Sequence, residues 1–471
     1  MPVIRFMVYT PVGHDDPGLA IAASRAGGIG VFNGEWHREG QAVVAGLDKL
    51  AKYAGNPYGV KLGTASPRDL FDDILARIQT GLRWLIVQPD LADRCRELLH
   101  AFRSAGGNVL LELSAWQPEF REIVAGCDGC IVKGHEAGGA VGEETSFILL
   151  QKLLGSQDKP VYVRGGIGLH SACACFAAGA AGVVLDNQLL LMKESALKDR
   201  LQPLLEGLAG NETTLIGDPV NGRYVRLFER PGYQTLKLLK EEAHQLAFAE
   251  ILQRCIDAAG WENPQRHLMP LGQDVLFAAD WAERYGNVAA VLRALDKTCP
   301  RHLSMARDLS CLGQDSPLAR SHGTRHPIVQ GPMTRVSDTP GFAEAGKPWG
   351  IGLLGFAPAD LLREQVALSR PFQPAFAIIA GGRPDQALVL EQAGIPSYLH
   401  VPSPRLLTLF LEQGARRFVF EGRECGGHIG PLSSFVLWDT MVQTLLDTVR
   451  DRKVAADIHV LFAGGIHDTR S

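Results

Sequence analysis

One stretch of this chain occurs twice, with one chemically decisive difference. Val132-Lys-Gly-His-Glu-Ala-Gly-Gly-Ala-Val-Gly142 is matched by Phe420-Glu-Gly-Arg-Glu-Cys-Gly-Gly-His-Ile-Gly430. Gly134, Glu136, Gly138, Gly139 and Gly142 coincide with Gly422, Glu424, Gly426, Gly427 and Gly430. After the Gly-Gly pair stands Ala140 in the first copy and His428 in the second. An imidazole titrates near neutral pH and can move a proton, which a methyl group cannot do. The alternative for His428 is a histidine that only hydrogen-bonds within a Gly-rich turn. The glycines allow a ligand to approach the backbone closely. A second repeated element is Gly165-Gly166-Ile167, matched by Gly464-Gly465-Ile466. Such a turn, closing a strand and opening a helix, can hold a phosphate on backbone N–H groups. One Gly-Gly turn is a weak signal. Two copies, each at similar spacing from the longer motif, are a stronger one.

Composition narrows the setting. A chain of 471 residues is long enough for two domains, and its 21% charged and 46% hydrophobic residues are ordinary for a globular protein. A net charge of −4 gives no general attraction to nucleic acid or an anionic membrane. No apolar run is long enough to span a bilayer, and the N-terminus has no signal-peptide pattern. The nine scattered cysteines fit reduced thiols in a cytoplasm. Cys127 and Cys130 form a lone C-x-x-C with no second pair spaced for zinc, so they read as residues around a strand.

The elements that must position the motifs follow from periodicity. Ile4–Tyr9, Ile29–Phe32, Tyr58–Leu62, Trp84–Val87, Val109–Leu113, Cys130–Lys133, Pro160–Val163 and Gly182–Leu185 read as eight strands alternating with helices. This pattern predicts an α/β fold with a parallel sheet, closed as a (β/α)8 TIM barrel over residues 1–200. Residues 201–300 read as a helical lid on that barrel, with a polar strand-like piece, Thr213–Phe228, among its helices, and 301–317 as a linker. A second, incomplete barrel is expected over 318–471. His326-Pro-Ile-Val-Gln-Gly-Pro-Met333 restarts the series, and Trp349-Gly-Ile-Gly-Leu353 resembles Tyr58-Gly-Val-Lys-Leu62. The second copy is shorter than the first around Glu344–Lys347, and no eighth-strand pattern follows Gly464-Gly465. We therefore expect a fragment of a longer polypeptide, with evolved deletion as the alternative. In such a barrel the site lies at the carboxyl ends of the strands, where both motifs fall.

These motifs resemble the nitronate monooxygenase family, formerly called 2-nitropropane dioxygenase, in the tandem form found at the front of large polyketide synthases. The resemblance rests on His326-Pro-Ile-Val-Gln-Gly-Pro-Met333, Gly134-His-Glu-Ala-Gly-Gly139, Glu424-Cys-Gly-Gly-His428 and the two Gly-Gly-Ile turns. It implies an FMN-binding TIM barrel with an added helical domain. The implied function is an FMN-dependent oxidoreductase, either monooxygenase or enoyl reductase, serving a polyketide or lipid synthase. NAD(P)H is the implied reductant, and a small molecule or acyl thioester the substrate. The resemblance implies His428 as the proton-moving group. As cofactor-binding residues it implies Lys61, Lys133, Gly138, Gly139, Gly165, Gly166 and Asp186 in the first copy, and Gln330, Gly427, Gly464 and Gly465 in the second. Lys61, where the family often has Asn, and Lys133 would stabilise an anionic reduced ring; the alternative is that each only caps its strand. Gly352 and Glu421 hold their places in the second copy, where a carboxylate facing the ring would repel it. Flavin is therefore expected on the first barrel. The rival reading makes one or both barrels degenerate docking or structural modules within a megasynthase.

Overall fold

Eight apolar runs of the first half pair as parallel strands and close on themselves. They are β1 (Arg5–Tyr9), β2 (Ile29–Asn33), β3 (Tyr58–Lys61), β4 (Leu82–Val87), β5 (Asn108–Leu113), β6 (Gly129–Lys133), β8 (Val161–Arg164) and β9 (Gly182–Leu185). Closure comes from β1, which pairs with β2 through Met7↔Ile29 and with β9 through Arg5↔Gly182. In this computed structural model the described residues are 5–471 except 38, 56, 64–65, 67–69, 332–347, 370, 372, 428 and 469–470. Each strand lies within two residues of its expected position, because β-branched runs between helices leave little freedom.

Alternation along the strands builds the barrel interior in layers. Met7, Val31, Trp84, Ile86, Leu110, Ile131, Tyr162 and Val184 form one buried apolar cluster. Two residues further along each chain stand Tyr9, Asn33, Gln88, Glu112, Lys133, Arg164 and Asp186, and Lys61 closes β3. The layer nearest the carboxyl ends is therefore polar and strongly charged.

The expected strand-like piece of the cap, Thr213–Phe228, is a hairpin. The short strand β7 (Gly139–Val141) pairs with β11 (Arg223–Phe228), which pairs in turn with β10 (Thr213–Asp218). Helices Gln234–Glu242 and Phe248–Ala258 pack on this sheet through Ile216, Val225, Leu227, Leu236 and Ile251. The indole N–H of Trp261 donates to the Val12 carbonyl at 2.9 Å and fastens the cap to the loop after β1.

The chain divides into two compact units, Met1–Pro300 with His467–Ser471, and Arg301–Ile466. Much of the expected linker is helical: residues up to Leu309 belong to helix Val288–Leu309, and Pro317–His322 is a further helix. The second unit holds a five-stranded parallel sheet in chain order: β12 (Gly350–Leu354), β13 (Phe376–Ala380), β14 (Ser397–His400), β15 (Arg417–Glu421) and β16 (His459–Ala463). These match the third to seventh strands of the first barrel. Residues 326–331 form no strand, and the junction at Glu344–Lys347 lies outside the described residues.

The doubled motif has the same mechanical role in both units. In the first, the Glu136 carboxylate accepts from the backbone N–H of Ser146 at 3.2 Å and from its hydroxyl, at the start of helix Ser146–Leu154. The same Ser146 hydroxyl is 3.0 Å from the Gly165 carbonyl. In the second, Glu424 accepts from Ser434 N at 2.9 Å and Oγ at 2.6 Å, and that hydroxyl is 3.3 Å from the Gly464 carbonyl. A Cβ on Gly134 would stand 2.3 Å from Ser146 N, and one on Gly422 2.1 Å from Ser434 Oγ. The repeated Gly-x-Glu thus ties the loop after the sixth strand to the next helix and the next turn. Ser146→Ala leaves the buried Glu136 carboxylate short of a donor, and should lower the stability of the first unit by about 1–3 kcal/mol in denaturant unfolding. Ser434→Ala should do the same to the second, and an unchanged midpoint in either variant would refute the tie.

Candidate active site

The polar layer of the first barrel is a closed ion network. Lys61 donates to Glu35 at 2.6 Å and also to Glu112. The Arg164 guanidinium donates to Glu112 at 3.0 Å and to Asp186 at 2.9 Å, and lies 4.8 Å from the centre of the Tyr9 ring. Gln88 donates to the other Glu35 oxygen at 2.9 Å. Glu35, Lys61, Glu112, Lys133, Arg164 and Asp186 are all buried, three acids against three bases. Burial alone pushes the Glu112 carboxyl up, but Lys61 and Arg164 beside it hold it at about 2. Charges so far from water persist only when compensated in this way.

Lys133 is the member without a hydrogen bond: its Nζ is buried and has no partner. Burial lowers its pKa to about 8, against the pull of Glu35. The Tyr9 hydroxyl and the Asn33 amide nitrogen are likewise buried without partners.

The carboxyl-end loops are occupied by the chain's own groups. The Gly168 N–H donates to Ser171 Oγ at 2.7 Å and the Asp186 N–H to Gln188 Oε1 at 2.8 Å. Asp186 Oδ1 accepts from the Asn187 N–H at 2.7 Å. Asp274, fully buried, accepts from the Asn187 side chain at 2.9 Å; burial, then the Asp186 charge, raises its pKa far above the carboxylate range. A Cβ on Gly138 would stand 2.1 Å from the Pro270 carbonyl, so this glycine admits the cap, not a ligand. Trp36, Ala140, Leu252 and Ile256 line one cavity at this mouth, together with Glu35, His37 and Gln88. Its volume is about 20 Å³, room for a water molecule, whereas ligand pockets measure roughly 300–1,000 Å³.

The residues of the first barrel therefore do not fit FMN. Lys61 is committed to two carboxylates, Asp186 brings a negative charge to the place expected for the phosphate, and Gly138 and Gly139 lie under the cap. His135 does not stand in for the absent histidine: its Nδ1 is 3.1 Å from the Gly142 carbonyl, and its ring meets Tyr224 edge-on. Glu35, Glu112 and Arg164 escaped the sequence reading. The available signal was a charged residue two places beyond an apolar one at a strand end, as in Leu110/Glu112 and Tyr162/Arg164. Cys127 and Cys130 are buried free thiols at and before β6, as expected.

The second unit presents the same layer with other residues. The register of its strands sets Gly352 in the place of Lys61, Ala380 in that of Gln88, His400 in that of Glu112, Glu421 in that of Lys133 and Ala463 in that of Arg164. His400 Nδ1 is 2.9 Å from the Glu421 carboxylate. Glu421 is thus paired, which removes the objection that its bare charge would repel a ring. Among the described residues, apart from each glycine's chain neighbours, nothing lies within 4 Å of where a Cβ on Gly426 or Gly427 would stand. Gly464 and Gly465 have positive φ (119° and 73°), like Gly165 and Gly166 (104° and 68°). Burial and the Glu421 and Glu424 charges push the Cys425 thiol up to about 12, so it is no ready nucleophile. Gln330 is exposed outside any strand, and His428 lies outside the described residues.

Residues 51–259 match the model of the nitronate monooxygenase family. Two curated relatives are each named (3aS,4S,5R,7aS)-5-hydroxy-7a-methyl-1-oxo-octahydro-1H-indene-4-carboxyl-CoA dehydrogenase. The one from Rhodococcus jostii is 28% identical over 209 residues, 44% of this chain and 57% of the relative. The one from Mycobacterium tuberculosis is 28% identical over 217 residues, 44% of this chain and 59% of the relative. The chain thus spans under two thirds of the length of the curated relatives it matches. Among solved structures, FabK from Thermotoga maritima shares the fold with a TM-score of 0.53 at 21% identity, covering 64% of this chain and 94% of its own. Among the described residues, no helix is long and apolar enough to cross a membrane, and no group of three or more His, Cys, Asp or Glu could hold a metal ion.

The ordinary lysine pKa of 10.5 falls to about 8 at Lys133, so between these values the unfolded chain binds more protons than the folded one. Stability from this group must rise with pH across that window. The unfolding free energy of wild type relative to Lys133→Met should therefore move in favour of wild type between pH 8 and 10.5. A pH-independent difference would show that Lys133 is not held at a lowered pKa.

Proposed function

We propose that this chain, whose residues 51–259 match the model of the nitronate monooxygenase family, is an FMN-dependent oxidoreductase in which the two barrels have different work. The first is a flavin-free scaffold. The second holds FMN and carries the chemistry. The observation behind this division is the exchange of one layer of side chains: Lys61, Gln88 and Arg164 fill the first mouth, and Gly352, Ala380 and Ala463 stand in their places in the second.

In the second unit Gly464 and Gly465 would offer backbone to the phosphate. Gly426 and Gly427, with Gly352, Ala380 and Ala463, would leave room for the ring. His400 Nδ1 stands 2.9 Å from the Glu421 carboxylate and would keep it engaged. FMN, where bound, supplies hydride and one-electron transfer between a reductant, here NAD(P)H, and an organic substrate. His428 takes or delivers the substrate's proton. The relatives' names specify dehydrogenation of a carboxyl-CoA thioester, which supports an acyl thioester as the substrate class. It also agrees with service in a polyketide or lipid synthase, the setting we propose together with a cytoplasmic location. The closed mouth of the first barrel favours a docking or structural role for that barrel.

Heating purified full-length protein and identifying the released ligand by mass spectrometry tests the cofactor. FMN should be recovered from wild type and lost in Ala463→Arg, which restores the first barrel's plug. Gly166→Asp should stay yellow. The reverse pattern, a colourless Gly166→Asp beside a yellow Ala463→Arg, would place the flavin on the first barrel. A colourless wild type would leave the docking reading for both barrels.

His428→Ala should lower turnover of a nitronate or enoyl-thioester substrate by roughly 10²–10⁴-fold at unchanged flavin content. Full activity would remove His428 from the mechanism.

A further inference from the structure

Arg164 is the most completely bonded cation in the molecule's buried layer, and the nature of its partner has a chemical consequence. (β/α)8 barrels frequently hold a ligand's phosphate on the loops after the seventh and eighth strands. Arg164 ends the seventh barrel strand here, and Asp186 follows the eighth. Two nitrogens of the guanidinium converge on one Asp186 oxygen, Nε at 3.0 Å and Nη2 at 2.9 Å. The other Asp186 oxygen accepts from the Asn187 backbone N–H at 2.7 Å and from its side-chain amide at 3.1 Å. An arginine fork, a backbone N–H and an amide are the donors that bind phosphate oxygens elsewhere.

We infer that Asp186 is a built-in anion at a phosphate position, and that removing its charge opens a phosphate site on Arg164. The inference uses only the flavin-free first barrel of the reading above and asks nothing of the second unit.

Charge counting decides the sign. Glu35, Glu112 and Asp186 balance Lys61, Lys133 and Arg164. Adding a phosphate dianion to that balance leaves uncompensated negative charge in a dry site. Wild type must exclude it. Without the Asp186 charge, Arg164 retains only Glu112, which Lys61 shares. One cation is then in surplus, and the space of the lost carboxylate adjoins it. Asp274 is bonded to the Asn187 side-chain amide at 2.9 Å, and burial disfavours its ionisation.

The test uses the full chain with inorganic phosphate, at ionic strength held constant with chloride. Asp186→Ala should unfold at a lower temperature than wild type, because a buried cation has lost its partner. Phosphate should raise that temperature by several degrees, saturably, while wild type responds alike to the two salts. Equilibrium dialysis with labelled phosphate should find one more bound equivalent in Asp186→Ala than in wild type. The double variant Asp186→Ala/Arg164→Met should lose both effects, separating a site on Arg164 from general salt stabilisation. If Asp186→Ala does not fold, Asp186→Asn keeps the shape and removes the charge, and the same two measurements apply. A variant that binds no extra phosphate, or a double variant that still binds it, overturns the inference. Neither readout involves flavin or turnover, so either result leaves the assignment of FMN to the second barrel standing or falling on its own test.

Discussion

Three acids and three bases shut inside one barrel mouth must neutralise one another, and that constraint shapes the whole first unit. Strand alternation turns side chains of the strands toward a common axis, and closure brings several of them within hydrogen-bond distance. Lys61, Glu112, Arg164 and Asp186 then form a chain of buried pairs across the mouth. Such pairs gain little over a well-packed apolar layer, but removing one member is costly because its partner stays charged and dry. The network is self-locking. It also consumes the donors and acceptors that a ligand would need.

The cap follows from the same closure. With the mouth filled, β7 and the hairpin β10–β11 settle over it, and the segment around Pro270 reaches the backbone at Gly138. A glycine that in a binding site admits a cofactor here admits the protein's own chain. The second unit preserves the glycines and the Glu424–Ser434 tie but lacks the large side chains beneath them. Duplicated sequence has thus kept the scaffold in both copies and changed the contents of one.

This separation of scaffold from contents explains why the doubled motif misleads as a guide to chemistry. Gly134, Glu136 and their partners Gly422 and Glu424 recur because both copies must hold a loop, a helix start and a turn together. The side chains that fill or empty the mouth come one per strand, spaced tens of positions apart, and differ between the copies. The identity match to the nitronate monooxygenase family falls on the first unit, where the mouth is closed, because such a match weighs the whole scaffold and not the few side chains at its centre.

The sequence by itself determined the eight strands of the first barrel, their order and the restart of the series after residue 300. Period-two burial and β-branched runs are local properties, so each strand could be read from its own residues. It also showed that Ala140 and His428 occupy matching positions. The pairing of the cap's strands with β7, the helix running to Leu309 and the absence of a strand at 326–331 depended on packing partners that no local pattern names. Only the tertiary structure decided what Lys61 and Asp186 do. In sequence they are a strand-ending lysine and an aspartate after an apolar run, fit for a flavin ring and its phosphate. Closure places Lys61 against Glu35 and Glu112, and Asp186 against Arg164, although the partners stand 26, 51 and 22 positions away along the chain. Electrostatic pairing depends on distance in space, and a barrel fixes that distance only when its last strand meets its first.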